Sequence, residues 1–148
     1  MAIVRKVLLE NPESKLFTVD VSGTVLDALQ VMKSADTGAV LVSDGHKIVG
    51  IFTERDYTRN VEVNGREAKN TPVKDLMTKE MVMVKPETSV QQCINLMARY
   101  HIRHLPVIEN EKVIGVVSLR KLADTLLADH KETIAELENY IMGTGFAQ

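Results

Sequence analysis

A segment of seven residues, Gly50-Ile51-Phe52-Thr53-Glu54-Arg55-Asp56, returns sixty-five positions later (115 − 50) as Gly115-Val116-Val117-Ser118-Leu119-Arg120-Lys121. Both copies keep the Gly, an apolar pair, a hydroxyl and an Arg, but Lys121 stands where the first copy has the carboxylate of Asp56. The register runs without a gap back to Val19 and Val84. A repeat of this period requires one supersecondary unit used twice, because neither copy is large enough to bury its apolar face alone.

Each copy opens with a β-type run, Leu16 to Val19 and Met81 to Val84, followed by a turn. Thr24 and Ser89 are N-cap residues, and Ser89-x-x-Gln92 is a capping box that satisfies exposed N–H groups at a helix start. Val25, Ala28, Leu29 and Met32, matched by Val90, Cys93, Ile94 and Met97, give one buried stripe per helix. The runs 39–42 and 105–108 read as strands, and polar turns lead to second strands at 48–52 and 113–117. Thr53 and Ser118 therefore fall at strand-to-helix junctions, where first-turn N–H groups and the helix dipole favour an anion. The polar stretch 60–70 reads as a linker. From Lys121 onward, Leu122, Leu126, Leu127, Ile134, Leu137 and Ile141 predict a long helix, with Gly143 ending it before a loose tail.

The expected fold is α+β, of α/β sandwich-like form. Tandem β-α-β-β-α units pack with pseudo-twofold symmetry, and a C-terminal helix follows. The expected division is a first unit with its linker at 1–70, a second unit at 71–128, and the terminal helix and tail at 129–148.

A net charge of −2 offers no basic field for nucleic acid, and no apolar run reaches membrane-spanning length. The single cysteine, Cys93, excludes an internal disulfide and reads as a core thiol in a reducing compartment. With an N-terminal apolar stretch too short for a secretory signal, the chain reads as cytosolic. His101 and His104 straddle a turn without Cys or acidic partners at ligand spacing, so a metal site is not expected.

The duplicated order of elements and the Gly-apolar-x-Thr/Ser-x-x-Asp motif resemble the CBS (cystathionine-β-synthase) domain pair, or Bateman module. The resemblance extends to Val73-Lys74-Asp75-Leu76-Met77-Thr78 and Ile102-Arg103-His104-Leu105-Pro106-Val107, and it covers roughly residues 4 to 128. It implies a stand-alone regulatory module whose inter-unit cleft binds an adenine nucleotide. AMP, ADP and ATP come first in that family, with NAD and S-adenosylmethionine as further members. Carried over, Asp56 holds ribose, as suits an acceptor-only carboxylate facing two vicinal hydroxyls. Thr53 approaches phosphate and Arg55 neutralises it. Met77, Thr78, Val82, Ile102 and Arg103 come across the cleft to line the base pocket. Lys121 cannot accept from a ribose. Arg103, His104, Ser118, Arg120 and Lys121 read together as a cationic phosphate or pyrophosphate pocket, and the two copies as one cleft.

Each assignment has a plainer reading alongside it: Thr53 as an N-cap, Asp56 as a first-turn carboxylate, and Lys121 as a solvated charge. No nucleophile-base set, acid-base pair or Walker-type loop is visible, so the module is expected to be non-catalytic. A ligand-free dimerisation scaffold is the alternative, and an NAD-using enzyme a third reading. The resemblance implies a homodimer and a client protein as partners, with neither nucleic acid nor membrane.

Overall fold

The computed structural model describes residues 2–10 and 16–140. The expected helix positions at Ile141 and Gly143, and the tail, lie outside the described residues.

The chain runs α1 (Val4–Glu10), β1 (Thr18–Asp20), α2 (Val25–Ala35), β2 (Ala39–Asp44), β3 (Lys47–Thr53) and α3 (Glu54–Asn60). Two 3₁₀ turns, Glu62–Asn64 and Ala68–Asn70, lead into α4 (Val73–Leu76). Then come α5 (Val90–Tyr100), β4 (His104–Glu109), β5 (Lys112–Ser118) and α6 (Leu119–Tyr140). Both long helices of the repeat start with a full capping box, Thr24 with Asp27 and Ser89 with Gln92. Both end on a left-handed residue, Asp36 and His101.

β1 pairs parallel with β2, and β2 antiparallel with β3; β4 and β5 form the matching hairpin. A register shift follows Val42 in one hairpin and Val107 in the other, at equivalent positions. The alternation of β2 and β3 explains why β2 is apolar on both faces. Val40, Val42 and Phe52 face the helices with Val25, Ala28 and Met32. Ala39, Leu41 and Ile51 face the other unit and meet Met81, Val113 and Val116. The sheet face that one unit leaves open is thus closed by the other.

The strand expected at Met81–Val84 is absent; only a single parallel bridge, Val84 to Val107, remains. In the first unit, β1 is anchored by Leu41 N–H to the Phe17 carbonyl (2.9 Å) and Val21 N–H to the Ser43 carbonyl (2.8 Å). The equivalent positions in the second unit are Pro106 and Pro86. Neither proline has an N–H to donate, so the ladder shrinks to the two bonds around Val84.

The stretch 60–70 is not an open linker. Val61 is fully buried in the first core, and Gly65 closes the first 3₁₀ turn in a left-handed conformation. Nor do the opening helices stay with their own repeats. Val73 of α4 lies in the first core, with its N–H bonded to the Gly23 carbonyl at 3.0 Å. Val4 and Val7 of α1 lie in the second core, with Val4 N–H bonded to the Thr88 carbonyl at 2.9 Å. Each sequence repeat lends its first helix to the other unit. Ion pairs tie α1 down at the surface: Arg5 with Glu87 (2.9 Å) and Glu109 (2.7 Å), and Lys6 with Asp129 (2.6 Å). No helix among the described residues is long and apolar enough to cross a membrane.

Candidate functional site in the inter-unit clefts

Two clefts open between the units. The first, about 790 Å³, is walled by the β3–α3 junction, the segment Thr78–Val82, and the α5–β4 connection from Tyr100 to His104. The second, about 770 Å³, is walled by the β5–α6 junction, Glu10 and Phe17, and the α2–β2 connection from Ala35 to Ala39. Gly38, Ile51 and His104 line both and form the ridge between them. The repeat therefore builds two clefts related by the pseudo-symmetry, not the single one expected.

In the first cleft, Thr53 caps α3. Its hydroxyl accepts from the Asp56 N–H (3.2 Å) and donates to Asp56 Oδ2 (3.1 Å), while the Thr53 N–H also donates to Oδ2 (3.0 Å). Both bonds fall on one carboxylate oxygen, and no described residue bonds Oδ1. The cap and the ribose readings of Asp56 are thus compatible, since one oxygen holds the helix and the other remains an acceptor. Burial pushes the Asp56 carboxyl up, and the Thr53 bonds and the Arg55 charge oppose that push. Thr53 itself is committed. Its only proton goes to Asp56, so a phosphate role would require it to release that bond.

Arg55 reaches across the cleft and donates to the carbonyl of His101, the left-handed cap of α5. Arg59 and Arg103 also line this cleft, as do Thr78, Val82, Ile102 and His104. Arg59 is not among the residues that the family resemblance implies. Its sequence signal is its place four residues after Arg55, one turn along the same helix face. Met77 does not line the cleft; it packs against the first core beneath β3.

The expected cationic constellation is divided. Ser118, Arg120 and Lys121 line the second cleft, Arg103 the first, and His104 both. Both clefts carry mixed charge, since Glu54 and Glu80 line the first and Glu10, Asp36 and Asp124 the second. Ser118 accepts from the Lys121 N–H at 3.2 Å, which is half of the capping box that Thr53 and Asp56 complete. Desolvation holds the Lys121 ammonium below its ordinary value. Cys93 is a buried thiol pushed up to about 11 by burial, which fits a packing role. Among the described residues, no group of three His, Cys, Asp or Glu side chains could hold a metal ion.

The sequence matches the family model of the CBS domain twice, over residues 4–62 and 73–128. The chain belongs to the CBS-domain family. A mitochondrial CBS domain-containing protein of Arabidopsis thaliana is 39% identical over 125 residues, covering 81% of this chain and 61% of that protein. The chain thus spans less than two thirds of that relative's length. A CBS domain-containing protein of Bacillus subtilis is 32% identical over 110 residues, covering 74% of this chain and 78% of its own. Among solved structures, a protein with CBS domains from Burkholderia ambifaria is 38% identical with a TM-score of 0.84, covering 86% of this chain and 96% of that one.

His104 is expected to make the stability of this CBS pair depend on pH. Burial, then the Lys121 and Arg103 charges, hold its imidazole below the ordinary value of 6.5. As pH falls through 6.5, the unfolded chain takes up a proton that the folded chain refuses, so acid destabilises the fold. The urea midpoint is expected to drop between pH 7.5 and 5.5, and to drop less in His104→Gln. Equal slopes in the two proteins would show that His104 is not the responsible group.

Proposed function

We infer that the chain is a regulatory module that binds an adenine nucleotide in the first cleft. The observation that carries this reading is the half-buried Asp56 carboxylate, with Oδ1 available, set beside Arg55, Arg59 and Arg103 in a cleft of about 790 Å³. That volume is in the range of small-molecule sites, roughly 300–1,000 Å³. Asp56 takes the ribose hydroxyls, the arginines take phosphate, and Met81, Val82 and Ile102 offer apolar surface to the base. A CBS domain pair 18% identical to this chain, with a TM-score of 0.73, has been solved with 5′-methylthioadenosine and S-adenosyl-L-methionine. At that identity the likeness supports the fold, and the ligand class comes to this chain as a proposal.

A nucleotide in this position touches both units and competes for Arg55, which otherwise bonds the His101 carbonyl. Binding then trades a protein–protein strap for a protein–ligand one and biases the relative placement of the units, which a client surface reads. Lys121 removes the ribose acceptor from the second cleft, so the reading gives one nucleoside per chain.

Thermal unfolding with AMP, ATP, NAD and S-adenosylmethionine tests the proposal. A true ligand at about 100 times its Kd adds about 2.7 kcal/mol, or about 5 °C or more in Tm for a chain of this size. If none of the four moves Tm, the interaction-scaffold reading replaces this one.

A further inference from the structure

The second half of α6 leaves the body of the protein. Leu122 and Thr125 are buried, and Leu126 packs on the second core. Lys6 then pins Asp129 at 2.6 Å, and every described residue from His130 to Asn139 is exposed. Along this projecting rod Leu127, Ile134 and Leu137 are 59%, 55% and 57% exposed. Their spacing of seven and then three residues keeps them within one narrow stripe, with Ile134 and Leu137 in the a and d positions of a heptad. Among the described residues nothing covers more than about half of any of these three side chains.

We propose that the Ile134–Leu137 end of this stripe pairs with the same two residues of a second copy, in antiparallel orientation. The charge pattern argues for both occupant and direction. Lys131 and Glu138 each follow a stripe residue by four positions, so they flank the stripe on the same side, one near each end. In an antiparallel pair Lys131 meets the partner subunit's Glu138, and the two-fold axis makes the contact twice. In a parallel pair these two charges would face the positions of Leu126 and Thr133, with no complement. A lipid surface is disfavoured because the opposite face carries Asp129, Glu132 and Glu136, where interfacial helices carry cations.

The test is the oligomeric state of the full chain by sedimentation velocity across a concentration series. Wild type is expected to dimerise, and Ile134→Glu to raise the dimer dissociation constant at least tenfold. Because residue 134 projects from the body, Tm measured well below the wild-type dimer dissociation constant should stay unchanged, which separates loss of pairing from loss of fold. Lys131→Glu or Glu138→Lys alone sets like charges together and should weaken the dimer. The two combined restore opposite charges and should recover it. The proposal is overturned if wild type is monomeric throughout, if Ile134→Glu dimerises as well as wild type, or if the combined reversal fails to recover the dimer.

Discussion

Replacing Asp56 by alanine is expected to weaken AMP or ATP binding about 100-fold in calorimetry. Each hydrogen bond between a carboxylate and a hydroxyl is worth about 1.5–3 kcal/mol, and the variant leaves the ribose without its acceptor. The loss should not come from unfolding. Removing the carboxylate breaks the side-chain half of the α3 capping box, a loss of about 1 kcal/mol. It also relieves the desolvation that pushes the Asp56 carboxyl up, and the two effects oppose each other. An internal control follows from the charges around the site. Arg55, Arg59 and Arg103 remain, and one of the carboxylates that share the cleft with them has gone while Glu54 and Glu80 stay, so tripolyphosphate should bind at least as well as to wild type. Unchanged AMP affinity in the variant would remove Asp56 from the site. Loss of tripolyphosphate binding in parallel would mean that the cleft itself had collapsed.

Local signals carried most of the fold. The N-caps Thr24 and Ser89, the Ser89 capping box, the apolar stripes of α2 and α5 and the paired hairpins are each written within about a dozen residues and formed where expected, while Asp27 adds a second capping box that was not expected. The departures have long-range causes. Pro106 was visible in its strand, but its consequence depends on pairing with a segment more than twenty residues away, where Pro86 removes a second donor. Val61 looked like one apolar residue in a polar stretch, yet a single fully buried side chain is enough to fix the path of the chain. The exchange of α1 and α4 between units has no local signature, because both helices carry the same kind of apolar face and either core could accept either. In the site, sequence identified the β3–α3 junction, which is local. It could not separate Arg103 from Arg120 and Lys121, because the pseudo-twofold axis that divides the clefts exists only in the assembled pair.

The repeated glycines give the sharpest contrast between the two units. A Cβ on Gly50 would lie 2.7 Å from Met77 Sδ, 3.0 Å from Met77 Cγ and 3.0 Å from the backbone oxygen of Thr78. That oxygen accepts from Ile51 N–H (3.0 Å), and Thr78 N–H returns a bond to Ile51 (2.8 Å), so the wall cannot move without opening the bridge. Gly50→Ala is therefore expected to lose about 1–3 kcal/mol in urea unfolding, as overpacking against fixed backbone does. At Gly115 the only close contact among the described residues is the Cδ2 end of Leu8, at 2.9 Å, with the next atom at 3.9 Å. A leucine tip can rotate away, and alanine suits a strand better than glycine by about 0.5–1 kcal/mol, so Gly115→Ala should fall within about 0.5 kcal/mol of wild type. The same substitution at equivalent positions thus separates a backbone contact from a side-chain one. Adding Met77→Ala to Gly50→Ala should recover only part of the loss, because the Thr78 oxygen stays in place. Full recovery would assign the whole effect to the methionine. Equal losses at Gly50 and Gly115 would contradict the asymmetry. Thr78 opens the segment that walls the first cleft, so Gly50→Ala should also weaken nucleotide binding there, whereas Gly115→Ala should leave it intact.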